Sequence, residues 1–430
     1  MRISVIGTGY VGLITGVCFA ELGHYVILVD IIPEKVEKIN RGIAPIFEEN
    51  LDEMLKKNIG RGRIHATTHV DKAIAGSGVT FISVGTPGKK DGSIDLACIR
   101  KAAEDIGKAL KSKEGYHTVV MKSTVVPGTT EEVALPAIEK HSGKKAGKDF
   151  GMAVNPEFLR EGLAVKDFMN PDRIVMGGMD VKSVHALEKL YRDFTCPKTK
   201  TDIKTAEMIK YASNAFLATK ISFSNEIGNL CKKLGIDSYV VAEGMGHDAR
   251  IGNRFLNSGI GYGGSCFPKD VKALTSESRK IGTRLKIIEA AEEVNDEQPL
   301  RIVAILKRHV PRLENKSIAV LGLAFKPGTD DIREAPSLKI VKELLHERAR
   351  VKAYDPEAAE NFRKVHKNVD YCLSAKDALK DADACLILTE WDEFRDLSDA
   401  DFRSMRKKVI IEGRRVLDKG KVKGFEGVCW

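Results

Sequence analysis

Gly7-Thr8-Gly9-Tyr10-Val11-Gly12 follows directly on an apolar, β-rich run at residues 2–6 and opens an apolar helical pattern that ends at Gly23. A second β-rich run, residues 25–29, leads to Asp30. In this strand–turn–helix–strand context the first glycine permits a tight turn and the second lets the backbone approach a pyrophosphate. The third allows close packing of helix on strand. The stretch therefore predicts a dinucleotide-binding fold.

Asp30 narrows the choice of dinucleotide. It lies 18 residues after Gly12, where a carboxylate accepts hydrogen bonds from both hydroxyls of an adenosine ribose and repels a 2′-phosphate. The N-terminus of the intervening helix supplies N–H groups and a positive dipole to the phosphates. These residues favour NAD over NADP as the cofactor. The alternative, a purely structural glycine turn, does not account for Asp30.

A second informative stretch is Gly261-Tyr262-Gly263-Gly264-Ser265-Cys266-Phe267-Pro268-Lys269-Asp270. Glycines let backbone N–H groups approach a ligand, and a lysine near a thiol favours the thiolate, which is the nucleophile. Asp270 lies four residues past Cys266, so a helix starting near Pro268 would let it orient the thiol or a water. The alternative is a glycine loop that carries a small, inert buried thiol.

Composition sets outer limits. The chain has 430 residues, 43% of them hydrophobic and 30% charged, which is typical of a globular protein of two or three domains. The sequence has no apolar run of 18 residues, and the first strand begins at once, so we expect no membrane span and no signal peptide. The eight cysteines are scattered without a C-x-x-C pair, which argues against a metal site or disulfides and for a cytoplasmic setting.

The net charge of +9 is spread among interleaved acids and bases. No long basic run and no aromatic interleaving accompany it, so we do not expect nucleic acid as a partner. An anionic small-molecule substrate is the better explanation for the excess of positive charge.

The order of the patterns predicts an α/β protein with three parts. Strand patterns ending at residues 84, 122 and 154 each lead into a loop of small and polar residues, as in a βαβ sheet whose ligands bind outside the carboxyl ends of the strands. One long helix is predicted from residue 201 to about 234, followed by helical patterns up to residue 310. We predict an N-terminal Rossmann-like dinucleotide-binding domain (1–196), a central long-helix domain (197–312) and a C-terminal Rossmann-like α/β domain (313–430).

The turn at residues 322–329, which opens the third domain, lacks G-x-G-x-x-G and is not expected to hold a second dinucleotide. Near the chain end, residues 424–430 finish with an exposed-looking Cys429 and Trp430.

Two pairs of residues have helical spacing. Lys210 and Asn214 lie four apart on the predicted long helix and thus on one face, where a partly buried lysine can stabilise an alkoxide or serve as a base. Glu157 and Glu161 also lie four apart, just after a strand, where one can be a general base and the other a ligand-binding group. The alternatives are a solvated helix lysine for the first pair and a helix start with favourable acids for the second.

Four cations, Lys326, Arg333, Arg250 and Arg415, occur in glycine-rich or turn contexts. Such cations suit a pyrophosphate, and arginine can bind it bidentately. Taken singly, each is more typical of an exposed surface charge.

Together these motifs resemble the nucleotide-sugar dehydrogenase family over essentially the whole chain. The stretch from Gly263 to Asp270 is its most specific element. The other matching stretches, in order, are residues 7–12, 84–87, 123–129, 155–162, 170–173, 210–214, 250–255, 325–326, 331–334 and 413–415.

The resemblance is closest to the members that act on UDP-glucose, and it implies the reaction UDP-glucose + 2 NAD+ + water → UDP-glucuronate + 2 NADH + 3 H+. Lys210 and Asn214 would stabilise the oxygen during the first oxidation, to the aldehyde. The Cys266 thiolate would then form a thiohemiacetal whose oxidation gives a thioester. By analogy with the family, Glu157 is the base for hydrolysis, with Asp270 and Thr124 positioning the water.

The resemblance also implies sets of contacts. The cofactor set is Gly7, Gly9, Tyr10, Val11, Gly12, Asp30, Lys35, Thr86, Thr124, Glu161, Lys269 and Arg333. The sugar-nucleotide set is Glu157, Phe158, Leu159, Arg160, Glu161, Lys210, Asn214, Arg250, Phe255, Asn257, Ser258, Gly259, Tyr262, Gly263, Phe325, Lys326 and Arg415. Members of the family pair through the central helices, so a homodimer is expected, with Arg250 reaching the substrate of the neighbouring subunit.

Three alternatives remain at this point. A sister enzyme would run the same chemistry on GDP-mannose or UDP-N-acetylmannosamine, because one substituent or base can decide specificity. A two-electron hydroxyacid dehydrogenase would share Lys210 and Asn214 without needing Cys266. A non-catalytic sugar-nucleotide sensor would keep the fold but would not need Cys266, Lys210 or Asp270.

Overall fold

The computed structural model describes residues 1–430. The chain forms two compact units, residues 1–213 and residues 214–430. Helix α9 (Ile203–Leu234) runs through the boundary between them. No helix has the length and apolar character needed to cross a membrane.

The first unit is built on an eight-stranded sheet. Its strands are β1 (Arg2–Ile6), β2 (Tyr25–Val29), β3 (Ile64–Thr67), β4 (Val79–Ile82), β5 (His117–Met121), β6 (Phe150–Val154), β7 (Ile174–Gly178) and β8 (Lys198–Thr201). The order is β3-β2-β1-β4-β5-β6-β7-β8, and only the β6–β7 pair is antiparallel. Strands β5 and β6 are buried at every residue, as expected for inner strands of a sheet covered on both faces.

Helices and one π-helical turn pack around this sheet. They are α1 (Tyr10–Glu21), α2 (Pro33–Asn40), α3 (Leu51–Gly60), α4 (Val70–Ala75), α5 (Ala97–Leu110), the π-helical turn Thr130–Ala134, α6 (Leu135–Ser142), α7 (Ala164–Met169) and α8 (Val181–Leu190). The strand order reverses between β1 and β4. A crevice forms at such a switch point, outside the carboxyl ends of the strands. The loops after β1, β4, β5 and β6 all start at this edge because those strands are parallel.

The second unit contains four helices and then a six-stranded parallel sheet. The helices that precede the sheet are α10 (Ser238–Gly246), α11 (Phe267–Lys280), α12 (Lys286–Glu297) and α13 (Leu300–His309). The sheet and its helices are β9 (Ser317–Leu321), α14 (Pro336–His346), β10 (Arg350–Tyr354), α15 (Ala359–Val365), β11 (Asp370–Tyr371), α16 (Ala375–Leu379), β12 (Ala384–Ile387), α17 (Asp392–Arg395), the 3-10 turn Asp401–Ser404, β13 (Ile410–Glu412) and β14 (Phe425–Gly427).

The two sheets share one strand order. In the second it is β11-β10-β9-β12-β13-β14, so the first strand again lies beside the second and fourth. Gly322 after β9 has φ +92 and packs on Thr389 after β12, as Gly7 after β1 has φ +98 and packs on Ser83 after β4. The predicted architecture, an α/β fold with Rossmann-like sheets at both ends of the sequence and a long central helix, is confirmed.

Some local expectations differ from the structure. The helical pattern up to residue 310 is two helices, α12 and α13, separated by Gln298–Pro299, because Pro299 has no N–H to donate to the preceding turn. Strands β3, β7, β8, β11 and β14 were not predicted; β8, with sequence Lys-Thr-Lys-Thr, has no apolar pattern.

The expectation of an exposed chain end is wrong. Cys429 is fully buried. The Trp430 indole donates to Glu412 (3.0 Å) and packs edge-on against Tyr239. Strand β14 brings the tail onto β13, so the last residues are part of the second unit's core.

Candidate active site

The glycine turn after β1 is tight on the protein side and open on the other. Gly7 has φ +98, and a Cβ there would lie 2.6 Å from the Ser83 carbonyl oxygen. A Cβ on Gly12 would overlap the Gly7 carbonyl oxygen. A Cβ on Gly9, the N-cap of α1, would meet no atom within 4 Å. The open side at Gly9 and the free helix N-terminus fit a pyrophosphate.

Asp30 is held ready at the end of β2. Its carboxylate accepts from the Thr8 N–H (3.0 Å), the Thr8 hydroxyl (2.5 Å) and the Ile32 N–H (3.1 Å). Burial raises the pKa of Asp30, but these bonds and the nearby Lys35 charge outweigh burial, so the pKa lies below its usual value. The side chain is therefore an ionised acceptor, as a ribose-binding group of a dinucleotide site requires.

Tyr10, in the predicted cofactor set, is tied to the loop that follows β6. Its hydroxyl donates to Glu48, and the Gly162 N–H donates to that hydroxyl (3.0 Å) and to Glu48 (2.8 Å). The Ala164 N–H also donates to Glu48 (2.6 Å). Burial raises the pKa of Tyr10. Val11, the next residue of the set, lies in the first turn of α1. The sequence analysis missed Glu48, because nothing near it marks a partner more than 110 residues away.

Thr86 and Thr124 lie close together. The Thr86 hydroxyl, after β4, donates to the Thr124 carbonyl oxygen after β5 (3.0 Å). The Ser123 hydroxyl donates to the Val84 carbonyl oxygen (2.7 Å). The two loops are thus joined at the edge of the sheet where a cofactor is expected.

Glu157 and Lys210 form a buried ion pair. Their side chains are each only 5% exposed, and Lys210 Nζ lies 2.9 Å from Glu157 Oε1. The Leu159 N–H donates to the other carboxylate oxygen (2.6 Å). Burial raises the pKa of Glu157, but Lys210, the Leu159 N–H and the charge of Lys122 outweigh it, so the pKa lies below its usual value. An ionised carboxylate beside a buried ammonium can exchange protons with a reacting group.

The Lys210–Glu157 pair lies beside the Phe158 ring. Lys210 Nζ is 5.3 Å from the ring centroid, and the Arg173 guanidinium is 3.8 Å from it. Arg160, also predicted to touch the substrate, makes a two-pronged pair with Asp167 (2.9 and 2.6 Å). Glu161 follows on the same loop and is half-buried.

Lys122 is a functional candidate that the sequence analysis missed. It follows β5 directly, is 4% exposed, and donates to the Asn155 side-chain oxygen (2.8 Å), which also accepts from the Tyr191 hydroxyl (2.6 Å). Burial lowers the pKa of Lys122 to about 7, with Glu157 opposing that shift and Lys210 adding to it. A lysine directly after the apolar run at residues 119–121, at the carboxyl edge of the sheet, is the sequence signal that could have revealed it.

In the second unit, Cys266 immediately precedes α11 and is half-buried. Asp270, one turn into that helix, is 2% exposed and accepts from Asn214 Nδ2 (2.7 Å) and Lys269 Nζ (2.6 Å). The predicted helix start is correct, and the helix brings together four predicted residues, Cys266, Asp270, Asn214 and Lys269. The thiol therefore lies at the N-terminus of α11, one turn before Asp270, whose N–H donates to the Cys266 carbonyl oxygen (2.9 Å).

The glycines before Cys266 allow a second segment to approach. The Gly264 N–H donates to the Arg333 carbonyl oxygen (2.8 Å), and a Cβ on Gly264 would lie 2.8 Å from the Phe325 ring. A Cβ on Gly263 would overlap the carbonyl oxygen of Glu334, whose φ is +51. The conformation of residues 325–334 and that of the cysteine loop therefore depend on each other.

The remaining predicted contacts are more dispersed within the second unit. Arg250 is 89% exposed and pairs with Asp248 (2.6 Å). Arg415 pairs with Asp237 (3.1 Å) and lies over the Tyr239 ring. The Lys326 ammonium lies over the Phe325 ring. Phe255 has a left-handed backbone (φ +65), and the Ser258 hydroxyl forms a hydrogen bond with the Ser238 hydroxyl (2.7 Å). Asn257 is exposed, whereas Gly259 and Tyr262 are buried.

Family models match most of the chain. Residues 1–195 match the NAD-binding domain of the UDP-glucose/GDP-mannose dehydrogenase family, residues 204–297 its central domain, and residues 319–419 its UDP-binding domain. The first segment covers most of the N-terminal sheet, the second nearly all of the long helix α9, and the third most of the C-terminal sheet.

Three relatives illustrate the similarity. A UDP-glucose 6-dehydrogenase of Haloferax volcanii is 46% identical, with both chains covered in full. A GDP-mannose 6-dehydrogenase of Pseudomonas putida is 36% identical over the full length of both chains. A solved structure of a UDP-glucose dehydrogenase from Pyrobaculum islandicum is 41% identical, superposes with a TM-score of 0.94, and is matched over 97% of its length by all of this chain. The chain therefore belongs to the UDP-glucose/GDP-mannose dehydrogenase family and is an NAD-dependent dehydrogenase.

Proposed function

We propose that this protein is a UDP-glucose 6-dehydrogenase, which oxidises UDP-glucose to UDP-glucuronate in two successive two-electron steps. The observation that carries the proposal is Cys266, a half-buried thiol at the start of α11 next to the Asp270–Asn214–Lys269 cluster. An alcohol-to-aldehyde oxidation needs no thiol. A further oxidation to the acid does, because a plain aldehyde is a poor hydride donor.

In the first oxidation, Lys210 and Asn214 have the central role. They lie one turn apart on α9, and Lys210 is buried beside Glu157. Their N–H groups stabilise the negative charge that develops on the substrate oxygen as its proton is lost to solvent. The glycine turn and Asp30 would hold and orient NAD, which would supply the hydride acceptor, one molecule for each oxidation.

In the second oxidation, the Cys266 thiolate adds to the aldehyde carbon, and the oxygen takes up a proton to give a thiohemiacetal. Loss of that proton and of a hydride, which a second NAD would accept, gives a thioester. Water then attacks the thioester, and the Cys266 thiolate leaves. Glu157, kept ionised by its neighbours, accepts the proton of that water. Asp270 and Thr124 are the groups that we propose to orient the water.

We assign UDP-glucose as the substrate, rather than GDP-mannose or UDP-N-acetylmannosamine, because of the sequence identities to the relatives. Identity is 46% to a UDP-glucose enzyme and 36% to a GDP-mannose enzyme, both over full length. The predicted cofactor and sugar-nucleotide contacts, including Lys35, Asn257 and Arg415, are carried into this proposal as contacts of the respective ligands.

The decisive experiment counts NADH formed per sugar consumed, by absorbance, with UDP-glucose, GDP-mannose and UDP-N-acetylmannosamine side by side. We expect two NADH per UDP-glucose and no turnover of the others. Cys266→Ser should abolish the second NADH. One NADH per sugar in the wild type would identify a two-electron dehydrogenase, and turnover of GDP-mannose alone would move the assignment to the sister enzyme. A wild type that forms no NADH but binds a sugar nucleotide, with the same binding in Cys266→Ser, would identify a sensor.

We further propose a homodimer that pairs through α9. Phe216, Phe223 and Leu230 recur every seven residues along this helix and are 64%, 47% and 53% exposed. Seven-residue spacing puts them on one stripe, as in helices that pack against each other. Exposed stripes of large apolar side chains mark association sites.

The eight free cysteines support a reducing compartment, and we propose the cytoplasm.

A further inference from the structure

The backbone at residues 259–262, just before the cysteine loop, belongs to no strand, yet side chains pair five of its polar groups. The Gly259 N–H donates to the Asn225 side-chain oxygen on α9 (2.7 Å). The Gly259 carbonyl oxygen accepts from the Gln298 side-chain nitrogen (2.7 Å). One residue is thus held on both sides by carboxamides from two elements.

Tyr262 is held in the same way by a single side chain. Its N–H donates to Asn295 Oδ1 (2.7 Å), and its carbonyl oxygen accepts from Asn295 Nδ2 (3.1 Å). A carboxamide presents one acceptor and two donors in a plane, and here it pairs with the peptide as a neighbouring strand would. Asn295 lies in the last turn of α12, and Gln298 follows that helix by one residue.

These carboxamides, which we call the amide clamp (Asn225, Asn295 and Gln298), are fixed themselves. Asn225 and Gln298 are fully buried. Asn229 Nδ2 donates to Gln298 Oε1 (2.8 Å), so the Gln298 nitrogen is the group that faces Gly259. Turning the Gln298 amide over would set its oxygen against the Gly259 carbonyl oxygen and leave buried polar groups unpaired, which is costly. Asn225 takes part through its oxygen alone, because its Nδ2 is buried without a partner.

Gly261 lies between the two clamped residues, and its backbone packs closely against the Asn295 side chain. Its φ is +98, and a Cβ there would lie 2.8 Å from Asn295 Oδ1. Arg414 donates to the Gly261 carbonyl oxygen from the C-terminal side of the unit. The backbone is therefore held at three of four consecutive residues, and Cys266 follows Tyr262 by only four.

We infer that the amide clamp positions the catalytic loop: Asn295, with Gln298 and Asn225, sets the backbone path that presents Cys266 and the substrate-binding glycines. These are positioning residues, because they act on the loop backbone rather than on reacting atoms. The inference deepens the proposed function and rests on it. Small displacements of catalytic groups cost large factors in rate, about a hundredfold for roughly 1 Å.

The test is Asn295→Asp, which keeps the shape and the acceptor for the Tyr262 N–H but sets a carboxylate oxygen against the Tyr262 carbonyl. We expect kcat to fall at least tenfold, a conservative figure beside the roughly hundredfold cost of a 1 Å misplacement. KM for NAD should change much less than kcat, because ten of the twelve predicted cofactor contacts, including the glycine turn and Asp30, belong to the other unit. The matched control is Asp296→Asn, the reverse exchange at the next residue. Asp296 pairs with Lys339 on the surface (2.7 Å), so its kcat should be unchanged.

Protonation gives a signature that a general packing defect lacks. A protonated carboxyl regains an O–H donor for the Tyr262 carbonyl, and a carboxylate set against that carbonyl has its pKa raised from about 4. The ratio of Asn295→Asp to wild-type kcat should therefore rise as pH falls from about 7 to 5. The charged groups around Asn295 are Lys272, Glu292, Asp296, Glu334 and Lys339. They are present in both proteins and largely cancel in the ratio. A pH-independent ratio would overturn the donor role of Asn295.

A readout that needs no substrate keeps the inference separate from the proposed function. Hydrogen exchange of the peptide spanning residues 255–265 should be at least tenfold faster in Asn295→Asp than in the wild type and in Asp296→Asn. Equal exchange in all three would overturn the clamp, whatever the enzyme oxidises. Faster exchange with an unchanged kcat would show that the clamp orders the loop without governing catalysis, and this would also overturn the inference.

Discussion

Gly9 and Gly12 have different predicted roles in the fingerprint, and the structure gives the physical reason for each. A side chain on Gly12 would overlap the Gly7 carbonyl oxygen, whereas one on Gly9 would meet no protein atom within 4 Å. Gly9 also has φ −69, which any residue can adopt. Gly12 is thus required by the packing of α1 on β1, and Gly9 by the space that a phosphate needs.

This difference predicts opposite effects of one substitution. Gly9→Ala should leave the melting temperature within about a degree of wild type and raise KM for NAD about tenfold, because only the ligand loses space. Gly12→Ala should destabilise the protein by about 1–3 kcal/mol through overpacking. Thermal unfolding and NAD titration of both variants test this. A stable Gly12→Ala with weak NAD binding would reverse the assignment.

Lys122 links burial to pH. Its pKa is lowered from 10.5 to about 7 by burial, so between these values the unfolded chain binds more protons than the folded one. Stability therefore rises with pH across that window, and below it the cost of burying the ammonium is present in full.

Lys122→Met removes this dependence. The variant should be more stable than wild type near pH 6.5, by a few kcal/mol, and the advantage should shrink towards pH 9.5. Asn155 keeps the bond from Tyr191 and is not left unpaired. Melting temperatures of both proteins across this range test the sign. Lys108→Met, at a 58% exposed position on α5, is the control and should give a pH-independent difference. An advantage that grows with pH would show that Lys122 is charged in the fold.

At the scale of elements, α9 organises the first unit through Glu207. This buried carboxylate accepts from the Gly128 N–H (2.6 Å), the Thr130 N–H (3.0 Å) and the Thr130 hydroxyl (2.6 Å). The segment that it holds carries Thr124, and Lys210 lies one turn further along the helix. Glu207 thereby fixes the distance between the loop after β5 and the helix that carries the buried lysine.

Glu207→Gln should destabilise the protein by about 1–3 kcal/mol, because a carboxamide places N–H groups against N–H donors and leaves at least one of them unpaired. Chemical denaturation gives the value. Lys204→Met, which removes exposed ion pairs from α9 to Glu131 and Glu132, touches the same segment and should change stability by less than about 0.5 kcal/mol. Equal effects of the two changes would mean that the buried bonds add nothing.

At the scale of the whole molecule, two sheets with one strand order do different jobs. Asp355, after β10, occupies the place that Asp30 has after β2. Its carboxylate already accepts from five groups, the N–H groups of Leu323, Ala324, Glu357 and Ala358 and the Trp391 indole. A carboxylate has about four lone-pair sites, so Asp355 has no capacity left for a ribose. Asp30 accepts three bonds and retains some.

The proposed dimer can be tested on the same scale. Phe223→Glu puts a charge in the middle of the exposed stripe on α9, where burying it against a second copy would be costly. Light scattering should show a dimer for wild type and a monomer for the variant. Leu373→Glu, at a 93% exposed residue after β11, is the control and should remain dimeric. A monomeric wild type, or a dimeric Phe223→Glu, would contradict the pairing.

Features that depend on neighbouring residues could be predicted from the sequence, because their spacing follows from backbone geometry. These are the glycine fingerprint with Asp30, the cysteine loop with its helix start, the long helix and both α/β halves. The fold was needed to show which side chains bond the backbone of these segments. Glu48 reaches Gly162, Glu207 reaches Gly128 and Asn295 reaches Tyr262, each across at least 33 residues of chain. A side chain that bonds a distant backbone group leaves no periodic trace, because any residue offers the same N–H and C=O. Its partner is fixed only when the fold brings them together.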